Sequence, residues 1–168
     1  MPTPEAFFLL KTAVARRFCS SMKHVFTALL FCLLLASCNT GFRREWRQAV
    51  AAGPQSGAVG AWEGTWRSHV NGHHGRLRAV VSPPQNSTGD HHFHYHATWA
   101  KILSGSFRAG HRVTSSKHGL TFAGNHRMPD WAGGEYRYEG RIDGDQFEAC
   151  YSSGKDRGVF TMERVPPQ

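Results

Sequence analysis

No apolar run in this sequence is long enough to cross a bilayer as a helix. The longest, Val25–Leu35, is eleven residues interrupted by Thr27, whereas a spanning helix needs roughly 17 or more. Catalytic signatures are missing as well. There is no G-x-S-x-G elbow, no zinc-binding HExxH and no phosphate loop, which leaves catalysis without a recognisable motif. Acidic residues are few, 12 against 20 Lys and Arg, for a formal net charge of +8.

What stands out instead is the stretch Met22–Cys38, MKHVFTALLFCLLLASC. A short basic start (Lys23, His24) precedes the apolar run, and small residues precede a cysteine. This is the layout of an export signal. Leu35-Ala36-Ser37-Cys38 resembles the lipobox of bacterial lipoproteins. The resemblance implies that Cys38 receives a diacylglyceryl group and that residues 1–37 are removed. Met22 is a natural start, and residues 1–21 read as a mis-assigned upstream start. An ordinary cleaved signal ending in Cys is the alternative. Asn39 is not the Asp that resembles an inner-membrane retention signal. The expected location is therefore the periplasmic face of the outer membrane, in the bacterial cell envelope.

Removal of that segment changes the arithmetic. Cys19 and Cys32 go with it and Cys38 is acylated, so Cys150 is left without a partner and no internal disulfide is expected. From Cys38 onward there are 16 Lys and Arg against 11 Asp and Glu, with 10 histidines. A moderately basic protein suits an anionic membrane or envelope polymer. Nucleic acid is not an expected partner of an exported chain.

Residues 38–60 read as a lipidated tether. Trp46, Ala49 and Val50 fall at helical spacing ahead of Gly53-Pro54. A helix this short is not stable alone and would pack on the end of the domain or lie against the membrane. From Ala61 the apolar period becomes two. Eight strands are expected within a single domain, 61–165, followed by a tail, 166–168. They are Ala61–Val70, Arg76–Val81, His91–Ala100, Leu103–Val113, Gly119–Gly124, Gly134–Ile142, Gln146–Tyr151 and Arg157–Val165, with Asp143-Gly144 as a tight hairpin and 125–133 as a loop. Alternation puts Trp62, Trp66, Leu77, Phe93, Tyr95, Trp99, Leu103, Phe107, Phe122, Tyr136, Tyr138, Phe147, Tyr151, Phe160 and Met162 on one face. Glu135, Arg137, Glu139 and Arg141 share the opposite face as a solvated stripe. An all-β, up-and-down antiparallel barrel of about eight strands satisfies one apolar face and leaves no open ladder.

Gly60-Ala61-Trp62 and Gly64-Thr65-Trp66 on the first strand, with a basic residue on the last, resemble the G-x-W signature of the calycin group, which includes lipocalins, fatty-acid-binding proteins and avidins. The resemblance implies that Trp62 and Trp66 close one end of the barrel, with Arg164 or Arg157 packed over the tryptophan.

Three groups of residues are candidate sites. His92, His94 and His96 share one face of their strand. They could hold a metal, attract an anionic envelope component, or simply face water. Their expected neighbours are Arg76, Arg78, Ser106 and Arg108, with no carboxylate to complete a metal site. His126 and Asp130 fall in one expected loop. Trp66, Tyr95, Trp99, Tyr136 and Tyr138 would wall a pocket for a small apolar ligand that enters opposite the G-x-W closure. The inner small residues Ala97, Gly105, Ala109, Gly140 and Gly158 would leave the room. The expected function is a non-enzymatic, cofactor-free, lipid-anchored barrel that binds such a ligand or another envelope component. The alternatives are a surface metal-binding protein and a purely structural lipoprotein.

Overall fold

The computed structural model describes residues 40–85, 89–99 and 103–166. The signal region, the lipobox with Cys38, and residues 167–168 lie outside the described residues. One helix, α1 (40–52), precedes eight strands. These are β1 (Gly60–Ser68), β2 (His74–Ser82), β3 (His91–Trp99), β4 (Leu103–Ser116), β5 (Gly119–Arg127), β6 (Glu135–Asp143), β7 (Gln146–Ser152) and β8 (Arg157–Arg164). Each strand pairs antiparallel with its neighbour in sequence, and β1 also pairs with β8, so the sheet is a closed barrel. This is the all-β, up-and-down architecture that the alternation predicts.

Strand boundaries differ in one place that matters. β5 does not stop at Gly124. Asn125, His126 and Arg127 continue the ladder opposite Arg137, Tyr136 and Glu135. Polar composition suggested a loop there, but main-chain pairing to β6 does not depend on side-chain polarity. At the other end of β6, Asp143 pairs with Gln146. The two-residue turn between them opens on Gly144 at φ 57°, a left-handed conformation that a two-residue hairpin needs.

The inner face is a continuous aromatic core. Trp62, Phe93, Tyr95 and Phe147 are fully buried. Phe93 packs on Phe122 at 5.2 Å between centroids, and Phe122 on Phe147 at 5.0 Å. Outward side chains alternate with these, and Glu135, Arg137, Glu139 and Arg141 are all exposed as expected. Gly140 does not leave space. A Cβ there would collide with the Phe122 ring and the Glu148 carbonyl. The place of the missing side chain is taken by Phe122, its register partner on the neighbouring strand β5.

α1 is not a free tether, and it neither caps an end nor stands off from the domain. It lies along the outer wall of β2, β3 and β4. Phe42, Glu45, Trp46, Ala49 and Val50 are its less exposed residues, at i, i+3, i+4, i+7 and i+8, while Arg43, Arg44, Arg47 and Gln48 are exposed. Phe42 is 2% exposed. Its ring meets His94 edge-on at 5.0 Å and stacks on His96 at 4.9 Å. Val80, outward by parity, is buried on the same wall. Because α1 is too short to persist undocked, Phe42→Ala should release it without opening the barrel. Amide exchange of residues 40–52 should accelerate to near-unfolded rates while β6 and β7 stay protected. Equal acceleration everywhere would show that α1 is part of the global folding unit.

Candidate functional site

The two ends of the barrel are built differently. At the end where β1 begins and β8 finishes, Trp62 and Arg164 are register partners. The Arg164 guanidinium lies 4.1 Å from the centroid of the Trp62 ring. It donates to the carbonyls of Gly57 (2.7 Å) and Val59 (3.0 Å), and its Nε donates to Asp145 at 2.9 Å. The Trp62 indole N–H donates to the carbonyl of Ala58 at 2.9 Å. Residues 53–59 are thereby folded across this end, which is sealed. Arg164, not Arg157, closes it, since Arg157 starts β8 at the opposite end.

Trp66 takes no part in this seal. Four residues along β1, it lies toward the other end, where its indole N–H donates to the Thr98 carbonyl at 2.9 Å. There the barrel opens into a cavity of about 580 Å³. Four of the five expected ligand-contact residues, Trp66, Trp99, Tyr136 and Tyr138, line it. So do Ala97 and Gly105, two of the small residues expected to make room. Tyr95 is not in the lining. It lies one layer deeper, fully buried, stacked on Phe107 at 5.0 Å and Tyr138 at 6.3 Å. Part of the rim is tied down. Asp156 accepts from the Ser68 hydroxyl at 2.6 Å and the Tyr151 hydroxyl at 3.1 Å.

Two histidines join this site that the alternation did not flag as inner. His126 lines the cavity and stacks on Phe107 at 5.5 Å. Burial holds its pKa below the ordinary value. It is a strand residue and not the loop partner of Asp130, which instead accepts from Arg127 at 3.1 Å. His111 is fully buried between Phe93, Tyr95, Phe122 and Tyr138. Gly124 makes its place, because a Cβ there would collide with His111 Nδ1. Neither ring nitrogen of His111 has a hydrogen-bond partner among the described residues, nor does the Tyr95 hydroxyl. Burial, reinforced by His126 and opposed by Asp90, pushes His111 down to about 4. Burial raises Tyr95 well above the usual phenol value. Both groups are neutral at pH 7 and sit beneath the aromatic cavity.

The histidine face of β3 is covered by α1 at His94 and His96, while His92 is half-buried. His94, 8% exposed, shares a 2.6 Å hydrogen bond through Nδ1 with Glu45 of α1. Glu45 also pairs with Arg108. Burial works against the Glu45 charge, but His94 and Arg108 outweigh it and hold the carboxyl below its usual value. A carboxylate thus reaches this face from α1, where the sequence showed only Arg76, Arg78, Ser106 and Arg108 as neighbours. It is committed to His94 and Arg108. No group of three or more potential metal ligands converges among the described residues. His92 pairs across to Ser82 and Gly110, and His96 lies under Phe42. Beside it, Arg43, Arg47, Arg78, His96, Phe42 and Trp46 surround a groove of about 480 Å³. The Arg78 guanidinium sits 4.8 Å from the Trp46 ring and also bonds Glu63 at 3.1 Å. Cys150 is exposed on the outer face of β7.

Compared with known proteins, the chain matches no family model, no curated sequence and no solved structure. Its functional reading rests on the geometry above. No helix among the described residues is long and apolar enough to cross a membrane.

Proposed function

We propose that this protein is a cell-envelope lipoprotein, anchored through Cys38, whose calycin-like barrel takes a small, largely apolar ligand into its open end. The observation that carries the reading is the aromatic cavity of about 580 Å³ opposite the Trp62–Arg164 seal. That volume is within the usual range for small-molecule pockets, and flat rings with a few polar groups are their usual lining. The seal at one end supports passage through the other. The G-x-W strand with Arg164 over Trp62 supports the likeness to calycins, and the lipobox supports the anchor and an outer-membrane location facing the periplasm.

Native mass spectrometry of protein purified from its own envelope should reveal a bound molecule in addition to the acyl mass. Ala97 lies in the cavity wall, so Ala97→Trp should abolish that adduct while leaving the sheet circular dichroism unchanged. An adduct that survives Ala97→Trp would place the ligand elsewhere. Cys38→Ala should remove the acyl mass, and a wild-type protein without it would end the anchor reading. A second reading, contact with an anionic envelope component, is supported by Arg43, Arg44 and Arg47, all exposed on α1. On that reading, charge reversal at these positions should weaken envelope retention in a salt-dependent way.

A further inference from the structure

All four large hydrophobic residues that are strongly exposed among the described residues lie at one end of the barrel. They are Val70 (57%), Trp99 (37%), Leu103 (51%) and Trp131 (83%). Val70 belongs to the β1–β2 turn, Trp99 ends β3, Leu103 starts β4, and Trp131 sits in the short 3-10 turn between β5 and β6. Three different connections therefore each project an apolar side chain around the cavity mouth. Single exposed apolar residues scattered over a surface mean little. Four confined to one rim, with none of comparable exposure at the sealed end or on the walls, form a patch with one orientation.

The course of the chain indicates what meets that patch. After α1, residues 53–59 run to the sealed end, where Gly57 and Val59 bond Arg164. The start of α1 lies short of that end, at mid-height of the barrel. Phe42 sits against His94 and His96, which flank the centre of β3, and Thr40 borders the groove beside Arg78 and His96. Cys38 is only two residues before Thr40, a reach of at most about 7 Å. An acyl chain on Cys38 would thus leave from the α1 wall and not from the seal, with the apolar rim at Trp99 three residues of β3 beyond His96, roughly 10 Å, and it is the apolar rim that decides which end meets the lipid. Tryptophan is also the side chain best suited to a lipid–water interface, with an apolar ring body and one polar N–H.

We infer that the open end faces the lipid surface, with Trp131, Trp99, Leu103 and Val70 set into the bilayer interface, so that the cavity exchanges its ligand directly with the membrane. The inference rests on the anchored-barrel reading above and adds the orientation of the barrel and the source of the ligand: the bilayer itself, and not the aqueous periplasm.

The test uses the acylated full-length protein reconstituted into phosphatidylethanolamine–phosphatidylglycerol vesicles, part of whose lipid carries bromine near the interfacial end of the acyl chains. Bromine quenches tryptophan only at close range. The expected result is clear quenching of the wild-type emission. Most of it should be lost in the double variant Trp99→Phe, Trp131→Phe, and little of it in Trp46→Phe on the α1 wall. Leu103→Asp with Val70→Asp, at exposed positions that leave the core untouched, should also reduce quenching while the near-ultraviolet spectrum stays native. Anchored protein whose emission is unaffected by bromine would overturn the orientation and leave the cavity reading standing. Quenching that survives the Trp99, Trp131 double variant but vanishes in Trp46→Phe would also overturn it, placing α1 against the lipid. Failure of the acylated protein to remain on vesicles would overturn the inference together with the anchor on which it rests.

Discussion

Trp62→Ala is expected to lower the stability of the barrel by about 3–5 kcal/mol, the range for removing a fully buried large aromatic. The indole has no solvent contact, packs on Phe147 at 5.5 Å and lies under the Arg164 guanidinium. Its loss would empty the layer that seals one end, and the surrounding ladders cannot collapse into the space because each strand is held on both sides. It would also remove the donor from the Ala58 carbonyl. Arg164→Leu should cost less, about 1–3 kcal/mol. It keeps apolar bulk over the ring but removes the donor to the carbonyls of Gly57, which is exposed, and Val59, which is half-buried, so water takes over part of the lost bonding. Thermal melts followed by near-ultraviolet circular dichroism would measure both. A Trp62→Ala protein within about 1 kcal/mol of wild type would show that the seal is dispensable, since such truncations in a filled core do not come so cheaply.

The second large effect is acid destabilisation, centred on His111. In the folded protein its pKa is about 4, while in the unfolded chain it returns to about 6.5. The native state therefore binds fewer protons than the unfolded state between these two values. His111 leaves stability intact above about pH 6.5 and erodes it steadily as the pH falls toward 4. At 1.36 kcal/mol per pKa unit, the total loss is roughly 3 kcal/mol. His91, His96 and His126, all lowered chiefly by burial, act in the same direction. Glu45 extends the trend further down: burial works against its charge, but His94 and Arg108 hold its carboxyl below its ordinary value, so stability is lost as falling pH protonates it and breaks those pairs. Urea titrations at pH 7.5 and pH 5 should show a clear drop in midpoint. In His111→Leu, which keeps apolar volume and removes two unpartnered nitrogens, that drop should shrink markedly. An unchanged pH dependence in the variant would assign the effect to the other histidines.

Much of the barrel was legible because a strand with one wet face writes its orientation into every second residue. Trp62, Phe93, Tyr138, Phe147 and Phe160 could be assigned inward from parity alone. His111 and His126 share that inward parity, with Ala109 and with Phe122, but only apolar residues were assigned to the core, and Asn125-His126-Arg127 ahead of Pro129 looked like a loop. Only the pairing with β6 shows otherwise. Free volume was not legible either, since it depends on which way the side chains of neighbouring strands lean. Gly105 borders the cavity, while the space at Gly140 is taken by Phe122. The docking of α1 was readable only in part. Trp46, Ala49 and Val50 gave the helix, and Phe42 and Glu45, at i−4 and i−1 from Trp46, extend the same stripe. Their partners on β3 and β4 lie about 50 residues or more away in the chain, however, and the histidine run passed for a solvated surface without them.

The pairing of β1 with β8 also sets an order of events. Trp62 and Arg164 stand about 100 residues apart in the chain, so the contact that seals one end is also among those of highest sequence separation. Hairpins such as β6–β7 can form as soon as their own residues are available. The sealing ladder must wait for Arg157–Arg164, the final strand. Until then the aromatic interior is a curled sheet with one side open. Topologies dominated by such distant pairings fold in milliseconds to seconds rather than microseconds, and the exposed interval is the time in which a growing or translocating chain is open to chaperones and to misassociation. Arg164 therefore has a temporal role as well as a structural one: its arrival over Trp62 is the step that ends that interval.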